Sequence, residues 1–98
     1  MARIDLSDAA LRDFERIVAH LRSHDSAHAD SRISDILGAI DVLGNNPHIG
    51  RRADDGCREL VIGRESRGYL ALYRFDKTID IVFVLAIRSQ REAGYRAD

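Results

Sequence analysis

The run Ile79-Asp80-Ile81-Val82-Phe83-Val84-Leu85-Ala86-Ile87 constrains this chain more than any other segment. Its alternation puts Ile79, Ile81, Phe83, Leu85 and Ile87 on one side and Val82, Val84 and Ala86 on the other. A strand that is apolar on both faces belongs in the middle of a sheet. The run is also far too short to cross a bilayer as a helix. Whatever else the chain forms must supply neighbours for this strand and a cover for it.

The neighbours precede it. Tyr69 to Phe75 reads as a strand, joined to the last one by a tight Asp76-Lys77-Thr78 turn. Tyr69, Tyr73 and Phe75 share one parity and are read as packing residues. Cys57 to Ile62 is a third strand, with Arg58, Leu60 and Ile62 on one face and Cys57, Glu59 and Val61 on the other. A polar loop bounded by Gly63 and Gly68 separates these two strands. Near the N-terminus, Ile4 and Leu6 alternate with charged residues in a short Arg3–Leu6 strand candidate.

The cover is helical. From Asp8 to about Ser23, Ala10, Leu11, Phe14, Ile17, Val18 and Leu21 recur at intervals of three and four. Arg12, Asp13, Glu15, Arg16 and His20 fall outside this stripe, and Ser7 or Asp8 offers the N-cap. His24-Asp25-Ser26 breaks the pattern and caps a second helix, from about Ala27 to Leu43, with a stripe of Ala29, Ile33, Ile36, Leu37, Ile40 and Leu43. Gly44-Asn45-Asn46-Pro47 ends it. Strand, helical hairpin and three-stranded antiparallel meander make a two-layer α+β fold in one domain over residues 1–98.

The single cysteine, Cys57, leaves no internal disulfide, and the N-terminus has no long apolar core of a secretory signal, so a cytoplasmic location is expected, with no membrane segment. The formal net charge is −1, but it divides as −3 over residues 1–50 and +2 over residues 51–98. Such a balance argues against strong non-specific nucleic-acid binding and leaves room for a local basic site. His20, His24 and His28 have helical spacing for a metal, but the helix joint at His24 breaks the face, and no metal or cofactor is expected. Cys57 reads as a buried structural thiol.

Four stretches in order resemble the RelE/ParE superfamily of type II toxins. Pro47-His48-Ile49-Gly50-Arg51 is similar to its Pro-x-x-Gly-Arg loop, and Arg58-Glu59-Leu60 to its Arg-Glu-Leu strand. Tyr69 to Arg74 is similar to its Tyr-x-x-x-Tyr-Arg strand, and Arg88 to Glu92 stands at the place of its terminal His-x-x-Arg-Asp segment. The resemblance implies a four-stranded antiparallel sheet under a helical hairpin, the first strand beside the last. It also implies a cognate antitoxin partner, received in a groove between hairpin and sheet edge and marked by exposed apolar residues of the helices.

That superfamily divides between ribosome-dependent mRNA endonucleases and non-enzymatic inhibitors of DNA gyrase. A nuclease needs charge stabilisation and proton transfer around the scissile phosphate. Here Arg58, Arg74, Arg91 and Tyr95 would serve, and Arg91 to Tyr95 is similar to the Arg-x-x-x-Tyr ending of RelE-like nucleases. Arg58 and Arg74 are read as sharing a sheet face through the parity of Leu60, Leu70 and Leu72. Against cleavage, Arg88 replaces the favoured His and cannot act as a base, and the only Lys is Lys77, in a turn. The sequence therefore favours gyrase inhibition, with Arg58, Glu59, Arg74, Arg88 and Arg91 as target-binding residues. A binding module acting only in autorepression is the third reading.

Overall fold

A computed structural model describes residues 1–63 and 67–96. The chain runs β1 (Arg3–Leu6), α1 (Asp8–His24), α2 (Ala29–Val42), β2 (Arg51–Arg52), a 3-10 turn (Asp54–Gly56), β3 (Arg58–Ile62), β4 (Tyr69–Asp76) and β5 (Ile81–Ser89). Residues 64–66 of the expected polar loop lie outside the described residues.

The sheet corrects the expected four antiparallel strands. It has five strands in the order β1-β5-β4-β3-β2, and β1 runs parallel to β5. The short β2 pairs antiparallel to β3 through Arg51↔Glu59 and Arg52↔Arg58. It adds one reversal of the chain between β1 and β5, which turns their pairing from antiparallel to parallel. The meander of β3, β4 and β5 is antiparallel as expected, and β1 does lie beside β5. Both helices sit on one face, α1 packed chiefly on β5 and α2 against β3.

Two boundaries move for local reasons. Residues 26–28 form turns, so α2 starts at Ala29 rather than Ala27. β5 starts at Ile81, because Asp80 takes a positive φ of 56° in the turn, and Ile79 is left 55% exposed. Ser7 caps α1 as expected, accepting from the Ala10 amide.

The core lies between the helices and one sheet face. Ile17, Leu21, Ile36, Ile40 and Leu43 meet Leu60, Ala71, Tyr73, Val82, Val84 and Ile87 there. Tyr73 is fully buried, and its hydroxyl accepts from the Gly50 amide at 2.9 Å. A Cβ at Gly50 would stand 2.7 Å from the Tyr73 ring, so the close approach requires glycine. Tyr69 and Phe75 pack against the same core, as their shared parity implied.

β5 does not alternate as a regular strand. Leu72 pairs with Ala86 but Tyr73 pairs with Val84, so Leu85 is the extra residue of a bulge. The bulge reverses the parity beyond it. Ile87 joins Val82 and Val84 in the core, while Ala86 and Arg88 turn to the face away from the helices.

β1 stops at Leu6, and the start of α1 replaces it along the edge of β5. Ser7 donates its amide to the Val84 carbonyl at 2.9 Å and its hydroxyl to the Leu85 carbonyl at 2.9 Å. Further along, the Ile87 amide donates to Asp13 Oδ2 at 2.9 Å. Asp13 is only 2% exposed, which corrects its expected place on the solvent side of α1. Its other oxygen faces Arg16 at 3.4 Å, and Arg16 bonds Glu92 at 2.6 Å.

Replacing Asp13 leaves a buried amide without an acceptor, which costs on the order of 1–3 kcal/mol. Asp13→Ala should lower unfolding stability by about 2 kcal/mol in urea titration, and Asp13→Asn, which keeps an oxygen for Ile87, by less. A loss below about 0.5 kcal/mol for Asp13→Ala, within the usual surface range, would refute this role.

Candidate functional site

The face away from the helices holds the clearest cluster of charged and hydrogen-bonding side chains. Residues directly opposite across strands share a face, so Arg51, Glu59, Leu72 and Ala86 form one row and Val61, Leu70 and Arg88 the next. After β5 the chain turns back, and Tyr95 donates its hydroxyl proton to Glu59 Oε2 at 2.6 Å. Arg51 donates Nε to Glu59 Oε1 at 2.8 Å and bonds the same oxygen through Nη2. The Arg88 guanidinium lies 5.2 Å from the centroid of the Tyr95 ring. Arg88 also donates Nη1 to the Glu92 carbonyl at 2.5 Å, while its Nε is buried with no partner among the described residues.

The electrostatics follow from these contacts. Partial burial pushes Glu59 up, but the hydrogen bonds from Tyr95 and Arg51 outweigh it, and the carboxyl titrates below its usual range. Burial and the Glu59 hydrogen bond together push the Tyr95 phenol above its ordinary value. At neutral pH the cluster therefore holds an ionised carboxylate, a phenol that keeps its proton, and guanidinium groups that are always charged.

The structure brings together Glu59, Arg88 and Tyr95 among the residues singled out from sequence. Arg58 and Arg74 lie on opposite faces, which corrects their expected sharing of one. Leu60 sits opposite Ala71, so even positions of β3 match odd positions of β4. Arg58 points to the helix side and donates Nη1 to the Gly50 carbonyl at 2.9 Å and the His48 carbonyl at 3.3 Å, pinning the Pro47–Gly50 loop. Arg74 is on the outer face and donates Nη2 to the Asp55 carbonyl at 2.9 Å, beside the buried Cys57. Arg91 points into a separate groove beside α1. Sequence reading missed Arg51 as a member of the cluster; its signal is the last position of the Pro-x-x-Gly-Arg loop.

That groove has a volume of about 760 Å³ and runs between α1, the helix joint and the ends of β4 and β5. His20 and His24 stack there with centroids 4.4 Å apart. His28 bonds Asp25 instead, and its hydrogen bond, with that of Arg32, holds the Asp25 carboxyl below its usual range. Among the described residues no three His, Cys, Asp or Glu are placed to hold a metal ion. No described helix is long and apolar enough to cross a membrane.

Residues 4–94 match the family model described as the ParE toxin of the type II toxin–antitoxin system parDE. The chain belongs to the ParE toxin family. It therefore stands in the RelE/ParE superfamily of type II toxins, as the order of its motifs implied. It is similar to Toxin RelE3 of Caulobacter vibrioides, with 29% identity over 92 residues that cover 94% of this chain and 98% of that one. The fold is shared with a chain of the chromosomal ParDE system from P. aeruginosa at a TM-score of 0.75 and 22% identity, covering 91% of this chain and 96% of that one. It is also shared with a chain of the intact E. coli RelBE toxin–antitoxin complex, at a TM-score of 0.65 and 15% identity, covering 94% and 100%.

The depressed Glu59 carboxyl gives a pH signature. Its ionised form is favoured in the fold, so the stabilisation it contributes is present above the unfolded carboxyl range and is lost as pH falls through its lower folded value. Tyr95→Phe removes one of the donors that lower it. A carbon-detected titration should then find Glu59 titrating closer to an ordinary glutamate than in the parent chain. An unchanged Glu59 would contradict the hydrogen bond.

Proposed function

We propose that this chain is the toxin of a type II toxin–antitoxin pair that arrests growth by binding and inhibiting DNA gyrase. The observation that carries this reading is the state of the outer-face cluster. RNA cleavage wants a group whose pKa lies near the working pH to take the proton of the 2′-OH. Glu59 is too weak a base and is already held by Arg51 and Tyr95. Tyr95 keeps its proton, and Arg88 cannot accept one. The same cluster suits recognition, because charged and aromatic side chains are fixed in position before any partner arrives. The match to the ParE family model points the same way.

The second reading, ribosome-dependent mRNA cleavage, is favoured by the C. vibrioides relative named RelE3 and by the presence of Tyr95 in the cluster. An antitoxin partner is supported by the ParDE and RelBE systems that share this fold. Leu11 on α1 and Leu37 and Val42 on α2 are large apolar side chains left exposed, and a partner segment that folds on binding would cover them.

Purified toxin should block supercoiling of relaxed plasmid by gyrase and leave transcripts intact in a translating extract. Glu59→Arg, which reverses the charge at the centre of the cluster, should abolish the block without unfolding the chain. Discrete mRNA cuts with unimpaired supercoiling would establish the nuclease reading instead.

A further inference from the structure

The groove beside α1 concentrates positive charge on a chain whose net charge is −1. Arg16, Arg32, Arg67, Arg91 and Arg96 line it, against the carboxylates of Asp25 and Glu92. Both carboxylates are engaged within the chain. Asp25 is bonded by His28 and Arg32, and Glu92 by Arg16 at 2.6 Å with Arg96 at 3.8 Å. Arg67 and Arg91 are exposed, and among the described residues neither faces a carboxylate. Two guanidinium forks with no carboxylate partner among the described residues thus stand over an internally neutralised floor.

The groove also offers flat rings. The His20 and His24 rings are stacked within 17° of parallel, and both residues are exposed. Tyr69 lines the opposite, sheet side of the groove. Guanidinium forks match phosphate oxygens in pairs, and aromatic faces take unpaired bases by stacking. An acidic peptide would use the forks and leave the rings without a role.

We infer that this groove is a binding site for single-stranded nucleic acid, its phosphates on Arg67 and Arg91 and its bases against the His20–His24 stack and Tyr69. The site is separate from the Glu59 cluster and does not rest on the gyrase reading. It engages the sugar–phosphate backbone without sequence readout, so DNA and RNA strands bind alike. Its affinity is modest, since few phosphates are neutralised, with a Kd on the order of 10 µM at low salt.

Fluorescence anisotropy with the full chain tests this. Labelled dT10 and rU10 should both bind, with log K falling against log salt at a slope of about −1.4, about −0.7 for each of two phosphates. The double variant Arg67→Glu, Arg91→Glu should bind at least about tenfold more weakly, as expected when two phosphate contacts become repulsive. Lys77→Glu, an exposed turn residue away from the groove, makes a like-signed charge change and should bind as the parent does. Circular dichroism identifies any unfolded variant, and Arg67→Gln with Arg91→Gln then replaces it with the same expected direction. Failure of both oligomers to bind, equal loss with Lys77→Glu, or tighter binding of an acidic decapeptide than of dT10 would overturn the assignment.

Discussion

The hydrogen bond from the Ile87 amide to the buried Asp13 carboxylate fixes how the two layers meet at the end of the molecule that carries the candidate site. β1 is too short to pair with the whole of β5. Beyond the bulge at Leu85, the edge of β5 would expose an amide to an apolar interior. An unpaired buried amide is costly, and α1 supplies the acceptor. The same carboxylate faces Arg16, which bonds Glu92 in the segment after β5. Glu92 in turn accepts from the Ser89 amide at 3.0 Å, so the turn that brings Tyr95 back over the sheet is anchored to the helix. Fold and site are joined through one polar chain from α1 to the C-terminal segment.

The outer-face cluster gathers fixed charges and one phenol around a single carboxylate. Arg51 comes from the short edge strand, Glu59 from β3, Arg88 from β5 and Tyr95 from the returning segment. Three other stretches of chain gather around the Glu59 carboxylate of β3, two of them from the C-terminal end. Tyr95, Arg51 and the charge of Arg88 lower the basicity of Glu59, while burial and the Glu59 hydrogen bond raise the Tyr95 phenol against the opposing pull of Arg88. In this ParE family chain the arrangement makes a preformed polar surface on the outer face of the sheet. On the helix side, Arg58 holds the Pro47–Gly50 loop in place from the other face of the same strand.

Much of this was legible in the sequence, and the misses have physical causes. The long apolar runs yielded both helices and the three-stranded meander, because their periodicity is strong. The parallel pairing of β1 depended on β2, whose two arginines carry no strand signal. The bulge at Leu85 was invisible because every residue around it is apolar, so a parity change leaves no mark in the pattern. Asp13 was set outside the α1 stripe on account of its charge. Yet Ala10, Asp13, Ile17 and Leu21 are spaced by three and four, and those four are the buried residues of the helix. Position, weighed above polarity, identifies it. Tyr95 was chosen from its motif, but its partner Glu59 lies 36 residues away and only the fold could join them.

Amide hydrogen exchange at Ile87 tests the central claim most directly, because it reads the Asp13 contact at the hydrogen itself. If α1 organises this end of the sheet, the Ile87 amide should exchange only on global unfolding, as slowly as the amides of the β4–β5 ladder. In Asp13→Ala it should exchange orders of magnitude faster, while the ladder amides speed up only by the roughly thirtyfold that a loss of about 2 kcal/mol in global stability dictates. An Ile87 amide that exchanges at the rate of an open chain in the parent protein would contradict the account.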